Sequence, residues 1–328
     1  MSSPHLFSLL AIASAVCCCS TYHPLHDPDL RKPIGDAHGG VKITFLGNST
    51  LYVTDGRTSM LVDGFLSRPS GFKTLFGKIG PEPRVIEDEL RHAGIVDVTA
   101  VLVGHAHHDH ALDATVIADR YEATVIGSES FARIYEGSHD TARRSILKTV
   151  AASGDHYEIG EFTVTFVPSD HVGSHSPVQS IVEGSITRPL RMPAHYSRFK
   201  CGQVFVLHIA HRDGNMVVTT TAGAKEGQLE GMQADVIFLG VGMLSKEAPD
   251  KRNTYWAETV RATNPKVVIP VHWDNFARKL SRGLAPMNLV GNPKEIMAFV
   301  KSEACGRQVR VLDLRESVWL KGRAVYCP

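Results

Sequence analysis

Four histidines and an aspartate are concentrated in one short segment of this chain. Residues 105–110 read His-Ala-His-His-Asp-His, and they directly follow the apolar run of residues 98–104. Such a run indicates a buried strand, so the segment would form a loop at the strand's end. Buried imidazoles and carboxylates are costly unless they find partners, and together they suit Zn²⁺ and neighbouring transition metals. The loop therefore predicts a metal site.

The order His-x-His-x-Asp-His after a hydrophobic strand resembles the signature of the metallo-β-lactamase superfamily. The resemblance implies an α/β fold, a four-layer αβ/βα sandwich of two mixed sheets flanked by helices. It implies that His105 and His107 bind one ion (metal one), whereas Asp109 and His110 bind a second (metal two). His108 occupies the variable position, where it would face solvent or substrate.

The resemblance also implies a third imidazole for metal one, farther along the chain. Residues 162–166 alternate Phe or Val with Thr, which indicates a half-buried strand that leads to His171. His171, at the end of this strand, is the expected ligand. His175 is the rival candidate, because it lies only four residues later.

Metal two would receive its last ligand near the C-terminus. Residues 266–271, which are apolar after Lys266, indicate another buried strand, and His272 follows it directly. The resemblance implies that His272 completes metal two. Asp274 would either orient a ligand or have a structural role, since carboxylates commonly accompany ligating imidazoles.

One part of the superfamily pattern is missing. Many members carry a Gly-Asp pair between the two downstream ligands, and its Asp bridges both metals. The corresponding residues 215–226 contain no Asp. Metal two would keep Asp109, His110 and His272 plus solvent, so a mononuclear site or a weakly bound second ion stays open.

Two further segments bear on the same resemblance. Residues 46–50, followed by a Val-Asp strand end, and residues 270–274 resemble the ascorbate-lactone-hydrolase-like and N-acyl-phosphatidylethanolamine-phospholipase-like branches of the superfamily. The Asp of that strand end, Asp63, would accept a hydrogen bond from a ligand imidazole and fix its tautomer. The alternative is an Asp that opens a turn with Gly64.

The remaining pattern alternates strands and helices, which suits two sheets flanked by helices. Strands are predicted near residues 41–47, 51–54, 60–62, 99–103, 123–126, 162–167, 203–210, 215–220, 235–239 and 266–271, and helices near 83–93, 111–121, 128–135, 253–263 and 293–301. Residues 1–36 would form a leader and linker, and residues 37–328 one hydrolase domain with an irregular lid insertion near 173–202. This lid is rich in Arg and Lys and also holds His195 and Tyr196, which would suit an anionic or amphipathic substrate.

The N-terminal residues differ in composition from the rest. Residues 6–16 are apolar but too few to span a bilayer, and they run into Cys17-Cys18-Cys19. This arrangement resembles a bacterial lipoprotein signal, which predicts an exported, periplasmic or membrane-anchored protein. Because residues 1–5 lack Lys and Arg, an unstructured leader on a cytoplasmic protein is the alternative.

Charge and cysteine content exclude some classes of function. The chain has 35 Lys and Arg against 34 Asp and Glu, and this balance gives no support to a nucleic-acid partner. Cys201, Cys305 and Cys327 allow one disulfide or none. None of them neighbours the His loops in sequence, so none is expected to be a ligand.

The expected reaction follows from the metal site. An ion held by three imidazoles leaves a coordination position for water and lowers its pKa, which favours hydrolysis of an ester, lactone or phosphodiester in a small-molecule or lipid-like substrate. Asp109 would orient the water or accept its proton. One or two Zn²⁺ ions are expected, with Mn²⁺ or Fe²⁺ as alternatives. A mononuclear iron oxygenase of sulfur compounds and a non-catalytic metal-binding surface protein stay open, as does the oligomeric state.

Overall fold

The computed structural model describes residues 22–36, 39–173, 177–288 and 291–328. The apolar leader at residues 6–16, Cys17–Cys19 and His175 lie outside the described residues. Within the described part of the chain, no helix combines the length and the apolar character needed to cross a membrane.

The described elements alternate along the chain as the sequence predicts. The strands are β1 (Val41–Phe45), β2 (Leu51–Thr54), β3 (Ser59–Val62), β4 (Ala100–Leu102), β5 (Thr124–Gly127), β6 (Ile146–Thr149), β7 (Asp155–Ile159), β8 (Phe162–Ser169), β9 (Val204–Ala210), β10 (Met216–Thr219), β11 (Val236–Gly240), β12 (Val267–Val271), β13 (Gln308–Val309), β14 (Ser317–Lys321) and β15 (Ala324–Tyr326). The α-helices are α1 (Gly71–Phe76), α2 (Pro83–His92), α3 (His108–Ala111), α4 (Ala114–Tyr121), α5 (Glu129–Ser138), α6 (Pro177–Ser180), α7 (Pro249–Trp256) and α8 (Pro293–Glu303).

Two mixed sheets flanked by helices form the fold, so the predicted fold class is confirmed. The first sheet has the order β15-β14-β1-β2-β3-β4-β5-β6, and the second has the order β13-β12-β11-β10-β9-β8-β7. Each sheet combines an antiparallel half with a parallel half, β3 to β6 in the first and β10 to β13 in the second. Parallel neighbours need crossover connections, which helices such as α4, α5, α7 and α8 supply.

Local sequence signals set several of these helices. Helix α2 begins at Pro83, where the missing amide hydrogen is harmless. Helix α5 is capped by Ser128, whose hydroxyl accepts a hydrogen bond from the Phe131 amide at 3.2 Å. The predicted helix over residues 111–121 is split into α3 and α4, so His108 to His110 lie within the first helical turn and not in an open loop.

Five strands lack a clear signal in the sequence. Strand β6 is an edge strand with mostly exposed side chains, so its residues show no apolar alternation. Strands β13, β14 and β15 are short, and β14 belongs to the first sheet only because it pairs with β1, more than 270 positions earlier in the chain. Strand β7 is partly exposed and has a single buried residue, Ile159.

Residues 22–36, which the sequence analysis assigned to a linker, pack on the C-terminal strands. The side chain of Leu30 is fully buried, and the Ile34 amide donates to the Cys327 carbonyl at 2.8 Å. Arg31 forms an ion pair with Glu316 at 2.5 Å. A single buried Leu among short turns leaves no periodic pattern, which is why the sequence did not indicate this packing.

The candidate metal ligands and Asp63 lie just beyond the carboxyl ends of strands. Asp63 follows β3, residues 103–110 follow β4, His171 follows β8 and His272 follows β12. Side chains from the carboxyl ends of neighbouring strands converge at one edge of a sheet, where ligands bind in open α/β sheets.

A buried ion pair ties two of these loops together. Arg68 Nη1 donates to Asp274 Oδ2 at 2.7 Å, and the two side chains are only 1% and 0% exposed. The other oxygen, Oδ1, accepts from the Asn48 amide at 2.8 Å. The carboxylate of Asp274 therefore has a structural role, because both of its oxygens bind groups that fix loops.

Removing one partner of this pair should be strongly destabilising. We expect Arg68→Met to lower the free energy of unfolding by about 3–5 kcal/mol, because it leaves the Asp274 carboxylate buried without a counter-charge. Chemical denaturation measures the effect. Arg91→Met is the control: its pair with Asp88 is exposed and should contribute about 0–1 kcal/mol. Equal effects of the two substitutions would contradict the role of the buried pair.

Candidate metal centre

Metal-ligating side chains form two groups where the strand ends meet. Within each group the ligand atoms all lie within 4.8 Å of one another. The first group consists of His105, His107, His171 and Cys201, and the second of Asp109, His110 and His272.

The second group has the geometry of a tetrahedral site. Asp109 Oδ2 lies 3.4 Å from His110 Nε2 and 3.2 Å from His272 Nε2, and the two nitrogens are 3.2 Å apart. An ion with ligand distances of about 2.0–2.1 Å requires edges of about 3.3 Å in a tetrahedron. Three ligand atoms that converge at this spacing therefore fit a divalent metal ion.

Asp63 fixes the orientation of His110. Its fully buried carboxylate accepts from His110 Nδ1 at 2.8 Å and from Ser49 Oγ at 2.6 Å through Oδ2, and from the Gly104 amide at 3.0 Å through Oδ1. Because Nδ1 donates to Asp63, Nε2 is the nitrogen of His110 that faces the second group and would bind an ion there. Asp63 (φ 55°) and His272 (φ 60°) both lie in the left-handed region, a strain that is concentrated at functional sites.

The charges around the second group favour a cation. Burial alone would lower the pKa of His110, but the carboxylates of Asp109 and Asp63 outweigh it and raise this pKa to about 10. Burial would raise the pKa of Asp109, whereas His110 and His272 hold it well below its usual range. A divalent ion would supply the positive charge that these buried carboxylates require.

In the first group, each imidazole uses one nitrogen for a protein partner. His107 Nε2 lies 3.3 Å from the Val182 carbonyl and His171 Nδ1 lies 2.9 Å from the Val172 carbonyl, so these nitrogens carry the hydrogens. His105 Nδ1 lies 3.2 Å from Thr220 Oγ1. The other nitrogens face the group, and His105 Nε2 lies 3.2 Å from His107 Nδ1.

The imidazoles of the first group are held in the neutral form that binds metals. Burial lowers the pKa of His171 to about 4, and it holds the pKa values of His105 and His107 well below the usual range. Because a ligating imidazole must be deprotonated, these side chains are ready to bind an ion at neutral pH.

Cys201 belongs to the first group, although the sequence analysis expected no cysteine ligand. The sequence does not indicate this proximity, because Cys201 is close to the histidines only in the folded chain: its carbonyl accepts from the Ala106 amide at 3.0 Å. The side chain is 7% exposed, and burial raises the pKa of its thiol to about 12. No signal in the local sequence marks this residue.

The segment that lacks a bridging Asp places threonines at the metal centre. Strand β10 ends at Thr219, and Thr220 and Thr221 follow at the metal centre. Thr221 Oγ1 accepts from the Val172 amide at 3.2 Å. In the part of the chain that the structure describes, Asp109 supplies the one carboxylate of the two ligand groups.

Asn48 is a positioning residue that the sequence analysis did not single out. Its carbonyl accepts from the His272 amide and its Nδ2 donates to the Asp109 carbonyl, each at 2.6 Å. The side chain is fully buried. The signal in the sequence is its place within residues 46–50, which carry part of the family resemblance.

The ring of His272 packs directly against the backbone of Gly242. A Cβ added at Gly242 would lie 2.6 Å from His272 Nδ1. Any side chain at position 242 would therefore push this imidazole out of the second group.

The other predicted candidates have different places. His108 is mostly buried, with its ring about 6 Å from the rings of Phe65 and Phe276, and it lines the cavity described below. Tyr196 lines the same cavity. His195 does not: its Nε2 lies 3.0 Å from the Leu75 carbonyl, and its Nδ1 lies 2.9 Å from Ser197 Oγ.

A cavity of about 710 Å³ opens onto both ligand groups. Asp109, His110 and His272 line it together with His107, His171 and Cys201. Most of the remaining wall is apolar, with Leu75, Val172, Val182, Tyr196, Val241, Met243, Trp273, Phe276, Met287 and Ile296. The predicted lid contributes Val182 and Tyr196 to this wall, but none of its Arg or Lys residues lines it.

Asp63 provides a test of the second group. We expect Asp63→Ala to weaken metal binding at this group by about 10–100-fold, because His110 loses the partner that fixes its tautomer. Elemental analysis and chelator titration would show close to two ions per chain falling towards one. The control is Asp119→Ala, since Asp119 also accepts from a histidine, His139, at 2.6 Å but lies outside both groups. Equal loss of metal from both groups would contradict the assignment of Asp63 to the second group. Iron bound in place of zinc would favour an oxygenase reaction over hydrolysis.

Comparisons with known proteins agree with this arrangement. Residues 42–272 match the family of β-lactamase superfamily domains. A UPF0173 metal-dependent hydrolase of Symbiobacterium thermophilum is 27% identical over 244 residues, which cover 72% of this chain and 85% of that protein. Another, of Carboxydothermus hydrogenoformans, is 30% identical over 134 residues, which cover 41% and 49%.

Solved structures show the same fold. A possible metal-dependent hydrolase of Veillonella parvula has a TM-score of 0.53 at 15% identity, and the match covers 86% of this chain and 100% of that one. Igni18, a metallo hydrolase of Ignicoccus hospitalis, has a TM-score of 0.52 at 17% identity over 85% and 97%. The matched family domain spans most of the chain and ends at His272, the last ligand of the second group. The chain therefore belongs to the β-lactamase superfamily, as a metal-dependent hydrolase with the metallo-β-lactamase fold.

Proposed function

We propose that this hydrolase cleaves a carboxylic ester or lactone that carries a large apolar group. The observation that supports the proposal is the cavity of about 710 Å³, whose wall beyond the metal ligands is mostly apolar. A cavity of this size holds a drug-sized or acyl-bearing molecule, and apolar walls stabilise its non-reacting part.

The charges of the wall favour a neutral scissile group over a phosphodiester. Apart from the ligand groups, the charged side chains of the wall are Asp170 and Glu183, both acidic. Lys200, in the lid, donates to the Ile181 carbonyl and does not line the cavity. Lys225 lies 3.8 Å from Asp170 but does not line the cavity. An anionic phosphodiester would therefore meet acidic side chains in a wall that has no Arg or Lys, which opposes its binding.

Exposed apolar side chains near the cavity also support a lipid-like substrate. Leu75 lines the cavity and is 42% exposed, and Phe72 and Phe76, on the same helix α1, are 77% and 74% exposed. Ile181, next to the cavity-lining Val182, is 45% exposed. Exposed apolar groups around the edge of a cavity mark sites that contact apolar ligands.

The roles of the residues follow from their geometry. When bound, a divalent ion lowers the pKa of a water and polarises the scissile carbonyl. Asp109 contributes Oδ2 to the second group, which leaves Oδ1 to orient the attacking water and accept its proton. Asp63 holds His110 in place, and the apolar wall excludes competing water.

The length of the acyl group should control the rate of hydrolysis. With p-nitrophenyl carboxylate esters of increasing chain length, we expect kcat/KM to rise about fourfold for each methylene that enters the cavity, from about 0.8 kcal/mol per buried methylene. The measurement is steady-state kinetics on this series and on bis(p-nitrophenyl) phosphate. Faster cleavage of the phosphodiester, or rates independent of chain length, would contradict the proposal.

A variant of the wall tests whether the cavity is responsible. Met287 lines the cavity, and its backbone amide donates to the Trp273 carbonyl at 3.0 Å. Met287→Lys should abolish the dependence on chain length, because an ammonium group opposes burial of methylenes. Met287→Leu, the matched control, should retain it.

A further inference from the structure

We propose that Cys201 is the fourth protein ligand of metal one, which leaves the open coordination position at metal two. The inference rests on the metal centre used in the proposed function, but it concerns the coordination of the ions and is independent of the substrate. The structure brings the Cys201 thiol and three imidazole nitrogens within 4.8 Å of one another.

The backbone around Cys201 is fixed on both sides. Its carbonyl accepts from the Ala106 amide at 3.0 Å, which anchors it between His105 and His107. Its amide donates to the Val182 carbonyl at 2.8 Å, and the same carbonyl lies 3.3 Å from His107 Nε2. One carbonyl oxygen thus positions both the cysteine and a ligating imidazole of the same group.

The balance of charge favours a thiolate at this position. The first group has three neutral imidazoles and no carboxylate, and residues 215–226, where the superfamily pattern expects a bridging Asp, contain none. The second group has its own anion, Asp109. A bound divalent ion deprotonates a coordinating thiol, so Cys201 would give the first group the single negative charge that it otherwise lacks.

The inferred ligand set has a consequence for the reaction. Zinc sites with four protein ligands are closed, whereas catalytic sites keep a position for water or substrate. With Cys201 included, the first group offers four ligands and the second offers three. The attacking water would therefore lie beside Asp109, His110 and His272, which line the cavity.

Cobalt replacement tests the inference without any measurement of turnover. Co²⁺ bound to a thiolate gives an intense charge-transfer band in the near ultraviolet, and Co²⁺ bound only to imidazole and carboxylate does not. The full chain is stripped with a chelator and titrated with Co²⁺. We expect one thiolate band per chain in the wild type, loss of that band in Cys201→Ser, and its retention in Cys327→Ser, whose thiol is also buried but bonds to Arg310 Nε.

Two ligand variants make the assignment to one ion explicit. His171→Ala removes an imidazole of the first group and should abolish the thiolate band. His272→Ala removes an imidazole of the second group and should leave the thiolate band intact. Cys17, Cys18 and Cys19 are present in every variant. The difference in thiolate absorbance between the wild type and Cys201→Ser is therefore due to Cys201 alone.

An unchanged band in Cys201→Ser, or a wild type that binds two Co²⁺ ions without a thiolate band, would overturn the inference. If Cys201→Ser does not fold, X-ray absorption of the zinc-loaded wild type tests the inference instead. A sulfur atom at about 2.3 Å from zinc supports Cys201 as a ligand, whereas a coordination shell of nitrogen and oxygen alone overturns it. Failure of the ester assays with an intact thiolate band would refute the proposed substrate and leave the coordination standing.

Discussion

One loop residue, Asn48, joins the two halves of the chain at the metal centre. It accepts from the His272 amide, donates through its side chain to the Asp109 carbonyl, and donates through its amide to Asp274. The Asn48 side chain is fully buried, and loss of its Nδ2 hydrogen bond would cost about 1–3 kcal/mol. The positions of Asp109 and His272, which come from different sheets, are therefore coupled before any ion binds.

The centre concentrates polar groups that a bound cation would satisfy together. Behind the second group, Asp63 binds His110, Ser49 and Gly104 and faces no solvent. In front of it, ligand atoms approach one another to 3.2–3.4 Å, although none is placed to donate a hydrogen to both of its neighbours. This arrangement is costly in a protein interior without positive charge, and a divalent ion offsets the cost.

The segment over residues 177–202 links the centre to the cavity. It contributes Val182 and Tyr196 to the apolar wall, and its last residues bring Cys201 to the first ligand group. The Val182 carbonyl contacts both His107 and Cys201, so a change in the wall at this point alters the orientation of both side chains. Metal coordination and the shape of the cavity are therefore not independent in this protein.

The sequence by itself determined the ligands that are contiguous or that directly follow a strand. The run at residues 105–110, His171 and His272 could be read because apolar strands lead to them, and the two mixed sheets follow from the same alternation. Only the tertiary structure decided the positions of Cys201, Asn48 and Arg68, the packing of residues 22–36 and the apolar character of the cavity. These features depend on contacts between residues far apart in the chain, and such contacts leave no periodic or local pattern in the sequence.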